Sequence, residues 1–252
     1  MKTKPFLTFF TAQMRLLRSQ IVAFTVLSVI LVAGFSFLAV KGNFGMNEFS
    51  ESLGLIIWIM IGLIGSNLSA ETGVSDFSEK TGMLILSQPV DRRLIILSKI
   101  LACFAAMLLP LIVIYAAGLT AGFLLYGHII FNAILSFGIS LLYTLSFIAF
   151  VTGIGTVSKN KSTPLSVGLT VSLLAVFVFA VFGKLLGIEP WFFLPYGGLA
   201  ISGIMTSSIL HINPGNFFFY YVPYVWEALV IILIYLAIFL AVSVIAYSKR
   251  QI

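Results

Sequence analysis

The chain has 252 residues, of which 60% are hydrophobic and only 9% are charged, and its formal net charge is +6. Soluble domains carry about 25% charged residues, so this composition excludes a water-facing globular protein and predicts an all-α integral membrane protein, since helices satisfy their own backbone groups in lipid. A single cysteine, Cys103, excludes an intramolecular disulfide and a cysteine metal cluster.

The first predicted element is an amphipathic helix over residues 4–19. Its apolar side chains recur at helical spacing, and Arg15 and Arg18 lie off their stripe. The stripe consists of Phe6, Leu7, Phe10, Met14 and Leu17. This pattern is typical of a helix that lies on the inner membrane surface. The alternative is a plain helical extension of the first membrane span.

Six apolar runs follow that are long enough, or nearly so, to cross a bilayer, which takes about 20 residues. They lie at 21–40, 53–70, 99–125, 130–157, 164–186 and 225–247. The first run is longer than the apolar part of a signal peptide, about 7–15 residues, so we interpret it as a retained span. The third and fourth are long enough to tilt or to project.

The basic residues predict the orientation of these spans. With the N-terminus inside, twelve of the fourteen Lys and Arg residues fall on the cytoplasmic side, and only Lys41 and Lys184 fall outside. Cytoplasmic loops are enriched in Lys and Arg, so both termini are predicted to be cytoplasmic in the cell membrane. Because the basic residues lie in short loops, they indicate orientation and not a nucleic-acid partner.

Between the fifth and sixth spans, residues 188–223 form the largest predicted external segment. Its middle, 196–210, is apolar but only about fifteen residues long, which favours a re-entrant helix over a seventh span. Aromatic residues flank it, as in the belt at a membrane surface: Trp191, Tyr196, Tyr220, Tyr221, Tyr224 and Trp226.

The sequence predicts no catalytic, metal or nucleotide site within this chain. The phosphate-loop pattern that ends in Gly-Lys-Ser/Thr is missing. Glu227 is the nearest acidic residue to a span interior, and we interpret it as an interfacial carboxylate, which disfavours an ion-coupled carrier. Gly118 and Gly122 form a G-x-x-x-G pair in the third span and predict close helix packing, within a bundle or a dimer.

The most informative segment is the cytoplasmic connection over 71–98, which holds half of all acidic residues. A short apolar piece, too short to span, lies there between charges, glycines and a proline. The pattern consists of Glu79, Lys80, Thr81, Gly82, Met83, Leu84, Leu86, Pro89, Arg92 and Arg93, followed by Lys99. A solvated loop that only fixes topology is the alternative to a helix that inserts into a partner.

This pattern resembles the coupling region in permease subunits of ATP-binding-cassette (ABC) transporters of the type-2 export class. Thr81 precedes Gly82, and Pro89 follows Gly82 by seven residues, which is similar to the shorter form in archaeal members. The resemblance extends to the whole chain, 1–252, as a single permease domain with six spans, an amphipathic N-terminal helix and an external re-entrant element.

The resemblance implies an export permease that is not itself an enzyme. A separate cytoplasmic ABC ATPase would bind ATP and Mg, so no cofactor is expected in this chain. A second permease chain, identical or similar, is the other expected partner. In such a coupling element Met83, Leu84 and Leu86 would supply apolar contact, and Glu79, Lys80, Arg92 and Arg93 would supply register and steering. The alternative function is a membrane scaffold or assembly subunit that moves nothing, and the substrate is not identified.

Overall fold

The computed structural model describes residues 3–70, 72, 74, 91–128, 130, 132–181, 190–206 and 222–249. Regular structure in this part of the chain is entirely α-helical, which confirms the predicted class. The seven described helices are α1 (Thr3–Lys41), α2 (Met46–Ala70), α3 (Arg92–Tyr126), α4 (Ala133–Val157), α5 (Ser162–Val181), α6 (Leu194–Met205) and α7 (Val225–Lys249).

Five of these helices, α1, α2, α3, α4 and α7, are long and apolar enough to cross a membrane. The fifth predicted span, 164–186, starts within α5, and its last residues, 182–186, lie outside the described residues. Helix α6 has 12 residues and is therefore about 18 Å long at 1.5 Å per residue, which is too short to cross the hydrocarbon core.

The amphipathic helix predicted over 4–19 is not a separate element. Helix α1 runs without interruption for 39 residues, so the helical extension of the first span, the alternative arrangement, is what the structure has. The physical reason is that the apolar stripe does not end at residue 19. It continues from Leu17, which is 5% exposed, through Val32 to Ala39 along one face, and α1 packs most extensively on α3.

Contacts at one end of the bundle show the directions of α1, α2 and α3. Tyr126, at the end of α3, donates to the carbonyl of Phe44 in the α1–α2 turn at 2.9 Å, and the rings of Phe35 and Phe49 stack 5.2 Å apart. Helices α1 and α3 are therefore parallel, and α2 runs against both. We call this end of the bundle distal; α2 and α4 end, and α3 and α5 begin, at the proximal end. Helix α7 runs parallel to α4 and so starts at the distal end, because Phe150 packs on Phe239 and Gly153 lies against Ser243.

Helix α2 lies at the centre of the bundle. Of its most apolar stretch 78% is buried, against 11% for α1. Two of its glycines explain how its neighbours come so close: a Cβ at Gly54 would overlap Ser202 of α6, and a Cβ at Gly62 would overlap Ser172 of α5. Small residues at a helix crossing allow backbones to approach, and in lipid such packing drives association.

Helix α6 is antiparallel to α2 and is enclosed by other helices. Gly198 lies against Trp58, and Ser202 lies one turn further along against Gly54. With the same spacing of four residues, Leu194 at the start of α6 is level with Gly62, in the middle of the apolar run 53–70 of α2. Residues 194–202 are all buried, so the short helix begins deep in the bundle and runs towards the distal end.

The packing of α6 on α2 predicts a steep cost for a single methyl group at Gly198. A Cβ there would stand 2.5 Å from Cδ1 of Trp58 and 2.7 Å from Cζ of Tyr143, so Gly198→Ala is expected to destabilise the fold by about 1–3 kcal/mol through overpacking. The control is Gly138→Ala, because a Cβ at Gly138 meets nothing within 4 Å. Thermal unfolding of both variants in detergent measures the difference, and equal melting temperatures would contradict this packing.

Candidate coupling site and the polar contacts behind it

The end of α2, from which the 71–91 connection departs, is tied to α3 by buried polar atoms. Sγ of Cys103 donates to the carbonyl of Leu68 at 3.2 Å and lies 3.2 Å from Oγ1 of Thr72. The N–H of Thr72 donates to the carbonyl of Ser69 at 3.1 Å and so extends the last turn of α2. The thiol of Cys103 is therefore engaged in structure, as expected for a small buried side chain.

Helix α3 begins well beyond the end of α2. Arg92, its first residue, precedes Cys103 by 11 positions, which is about 16 Å along the axis. Helices α1 and α3 have 39 and 35 residues, against 25 in α2, and both end at the distal end, so their proximal parts extend past the end of α2. The 71–91 connection therefore starts at the central helix and ends at the tip of this helix pair.

The start of α3 is fixed by Asp91, which caps it. Oδ1 of Asp91 accepts from the N–H of Arg93 at 3.0 Å, as an N-cap carboxylate does. Of the predicted basic residues, Arg93 is exposed, Arg92 is half-buried, and Lys99 is only 5% exposed. Arg93 therefore presents its guanidinium at the surface, whereas Lys99 belongs to the packed side of α3.

The rest of the predicted coupling element lies outside the described residues. This applies to Glu79, Lys80, Thr81, Gly82, Met83, Leu84, Leu86 and Pro89. The described flanks bring its two attachment points to the proximal end, and Arg92 and Arg93 are the two predicted site residues whose position is known there.

The two glycines of the third predicted span face α2. A Cβ at Gly118 would stand 2.5 Å from Cδ2 of Leu53, and one at Gly122 would stand 3.4 Å from Cε1 of Phe49. Both glycines are buried in the bundle. The G-x-x-x-G surface is thus occupied by a helix of the same chain.

A chain of hydroxyl groups joins α3, α4 and α6 in the distal half. The hydroxyl of Tyr115 lies 2.6 Å from Oγ of Ser140 and 2.9 Å from Oγ of Ser136, and Ser136 donates to the carbonyl of Ile201 at 2.9 Å. Each hydroxyl has one proton, so the order of donation is Ser140 to Tyr115 to Ser136 to Ile201. Every donor along this line has an acceptor.

A second polar contact joins the same region to α2. Nε1 of Trp58 donates to the hydroxyl of Tyr143 on α4 at 3.2 Å, and both side chains lie against Gly198. These side chains were not predicted as functional residues. The sequence does show Ser136 and Ser140 one turn apart inside an apolar run, a sign of inward-facing hydroxyls, but it does not show what they bind.

Two of the three distal carboxylates that the structure describes, Glu48 and Glu227, bind backbone groups at helix starts. Oε2 of Glu227 accepts from the N–H of Tyr224 at 3.0 Å, and Oε2 of Glu48 accepts from the N–H of Gly45 at 3.0 Å. Both bonds reach back three residues, as in a capping box. In the part of the chain that the structure describes, no three His, Cys, Asp or Glu side chains come together as metal ligands.

The hydroxyl chain makes a testable contribution to stability. Tyr115→Phe removes its central hydroxyl, and we expect a loss of about 1–2 kcal/mol, because buried hydrogen bonds contribute on this scale. The control is Tyr224→Phe, since Tyr224 is 42% exposed. Unfolding in detergent is the measurement. In a Ser136→Ala, Ser140→Ala background the effect of Tyr115→Phe should shrink; an undiminished effect would assign it to ring packing instead.

Comparison with known proteins agrees with this helical arrangement. The model of a family described as "ABC-2 family transporter protein" matches residues 6–252, a range that includes the connection over 71–98 and nearly all of the described helices. The comparison with curated proteins gives no match. The family match and the five long apolar helices identify a multi-pass membrane protein and confirm the resemblance found in the sequence. The chain belongs to the ABC-2 family of transporter proteins and is a permease of this class.

Proposed function

We propose that this chain is the membrane-spanning subunit of an ATP-driven ABC exporter and that it couples ATP hydrolysis in a separate cytoplasmic ATPase to substrate movement across the membrane. The observation that carries the proposal is the attachment of the 71–91 connection. It leaves α2, the most enclosed of the five long helices, and enters α3, the helix on which α1 packs most extensively. A partner that moves the connection therefore moves the centre of the bundle.

The proposed topology has six spans, with α5 as the fifth and α7 as the sixth, and both termini in the cytoplasm of the cell membrane. The direction of the helices supports it, because Arg15, Arg93 and Lys159 fall at the proximal end and Lys41 at the distal end. Within one permease domain over 1–252, α6 is the proposed re-entrant element. Its start level with Gly62 supports this assignment.

The coupling element in this proposal extends over residues 79–93. Met83, Leu84 and Leu86 provide the apolar surface that enters a groove of the ATPase, and Gly82 and Pro89 bound it. Glu79, Lys80, Arg92 and Arg93 set its register, and the exposure of Arg93 supports this role. Long-range charge complementarity of this kind guides encounter more than it adds affinity.

The ATPase subunit is proposed to bind ATP and Mg, and this chain is proposed to bind no cofactor. Two permease chains, identical or similar, frame the pathway. ATP-driven closure of the ATPase dimer pushes on the coupling elements, and the tie between Leu68, Thr72 and Cys103 passes the displacement to α2 and α3 together.

The coupling assignment predicts which substitutions uncouple the permease. With Met83→Asp and Leu84→Asp combined, we expect the ABC ATPase to be lost from the purified complex, because two charges cannot enter an apolar groove without a large desolvation cost. Co-purification from membranes, followed by ATPase activity, is the measurement.

The matched control is Ile134→Asp with Leu135→Asp. These two side chains are 84% and 44% exposed and begin α4 at the distal end, so the same chemical change should leave ATPase binding intact. Retention of the ATPase by the Met83, Leu84 variant would refute the coupling element. A complex without any ATPase in the unaltered protein would favour a scaffold subunit.

The topology predicts opposite labelling of two loops. In a Cys103→Ala background, His128→Cys should react with a membrane-impermeant maleimide in intact cells, and Asn160→Cys should react only after the membrane is opened. Both parent residues are exposed and lie at opposite ends of the bundle. Labelling of both cysteines in intact cells would contradict the proposed topology.

A further inference from the structure

The bend that leads into α6, Pro190–Phe193, exposes two bulky aromatic side chains. Trp191 is 68% exposed and Phe192 is 57% exposed, and their rings meet edge to face with centroids 6.3 Å apart. The backbone of the bend is not helical: the N–H of Phe193 donates to the carbonyl of Pro190 at 3.1 Å in a tight turn. The next helix, α6, is buried, so the bend is where this element reaches the surface of the chain.

Two independent contacts place this bend near the middle of the apolar thickness. The hydroxyl of Tyr235 donates to the carbonyl of Phe192 at 2.8 Å, and Tyr235 lies ten residues into α7, about 15 Å from its distal start. The packing of α6 on α2 sets Leu194 level with Gly62, about 14 Å from Leu53, where the apolar run begins. Both depths are close to half of the roughly 30 Å hydrocarbon core.

Lipid is a poor neighbour for the bend at this depth. Irregular backbone within the hydrocarbon region is tolerated only where protein buries it or where it lines a water-filled cavity. Tryptophan exposed to lipid is enriched at the membrane surfaces, which is where the sequence predicts Trp191 to lie. The structure places Trp191 well below that level, whereas Trp226, in the first turn of α7, has the surface position.

Water is also a poor neighbour, because the described surface on the α7 side of the bend is apolar. On the side of α7 next to Tyr235, Ile234 and Ile238 are each 51% exposed and extend the surface of Trp191 and Phe192 along the bundle. Exposed aromatic residues within an aliphatic surface are typical of the centre of a protein–protein interface.

We infer that Trp191 and Phe192, with Ile234 and Ile238 beside them, form a contact surface for a second copy of this chain at mid-membrane depth. The inference rests on the proposed function, in which two permease chains frame one pathway, and it assigns the face that they share. Each copy covers the irregular backbone of the other, and the α6 bend of each chain is brought next to the pathway between them.

Cysteine cross-linking tests this surface, since the one native cysteine, Cys103, is buried and is replaced by alanine in the background. In native membranes, Trp191→Cys and Phe192→Cys are treated with air and membrane-permeant copper phenanthroline, which oxidises two adjacent thiols to a disulfide within the bilayer. The expected result is a band at twice the mass of the chain for at least one of them. The control is Ile112→Cys on α3, which is 53% exposed and lies within two residues of Pro110, level with Met60 and Ile61. It should remain monomeric.

Three results would overturn the inference: only monomer at both positions, a cross-link to a different protein, or equal cross-linking of Ile112→Cys. Rapid reaction of Trp191→Cys with a water-soluble maleimide would likewise overturn it, in favour of a water-filled cavity.

A second measurement is the mass of the purified protein by light scattering, where Trp191→Ala with Phe192→Ala should yield more monomer than Ile112→Ala. ATPase co-purification in the same variants separates this inference from the proposed function, because a bound ATPase with no cross-link removes only the contact surface.

Discussion

The close packing around α2 is the constraint on which the rest of this bundle depends. Helix α2 contacts α1, α3, α4, α5 and α6, and glycines stand where two of these neighbours approach its backbone most closely. The side chain of Ser172 on α5 packs against Gly62, and the side chain of Ser66 on α2 packs against Gly168 of α5. In lipid there is little hydrophobic gain from bringing apolar helices together, so shape and close approach decide which faces associate.

In the proposed function, this arrangement gives the 71–91 connection its mechanical importance. The connection leaves α2, and α2 touches most of the other described helices, so a partner that displaces the proximal end of α2 would act on most of the bundle. The buried contacts of Cys103 with Leu68 and Thr72 hold α3 to the same point. Interiors packed in this way change between discrete arrangements and do not deform continuously, which suits a permease that alternates between states.

In the distal half, polar contacts attach the short helix α6 to its neighbours, and the apolar periodicity of the sequence does not predict these contacts. Ser136 binds the backbone of α6 at Ile201, and Tyr235 binds the backbone of its lead-in bend at Phe192. A twelve-residue helix cannot hold its place by spanning the membrane, and these bonds attach it to α4 and α7. The bond from Tyr235 also holds the bend beside the middle of α7, where Trp191 and Phe192 are exposed.

The sequence by itself was enough to show that the chain lies in a lipid bilayer, that it is all-α and which family it resembles. A run of about 20 apolar residues crosses lipid as an α-helix, because a helix satisfies its own backbone hydrogen bonds. The pattern at 79–93 was specific enough to indicate a permease, which the family match then confirmed. The tertiary structure decided what periodicity leaves open. The stripe from Phe6 to Leu17 fits a membrane surface and a helix partner equally well, and only the continuous packing of α1 on α3 distinguishes them. In the same way, the Gly118 and Gly122 surface suited a dimer or a bundle until Leu53 and Phe49 were found against it. Spacing along one helix shows which residues share a face. It does not show which helix packs on that face, because that helix comes from another part of the chain.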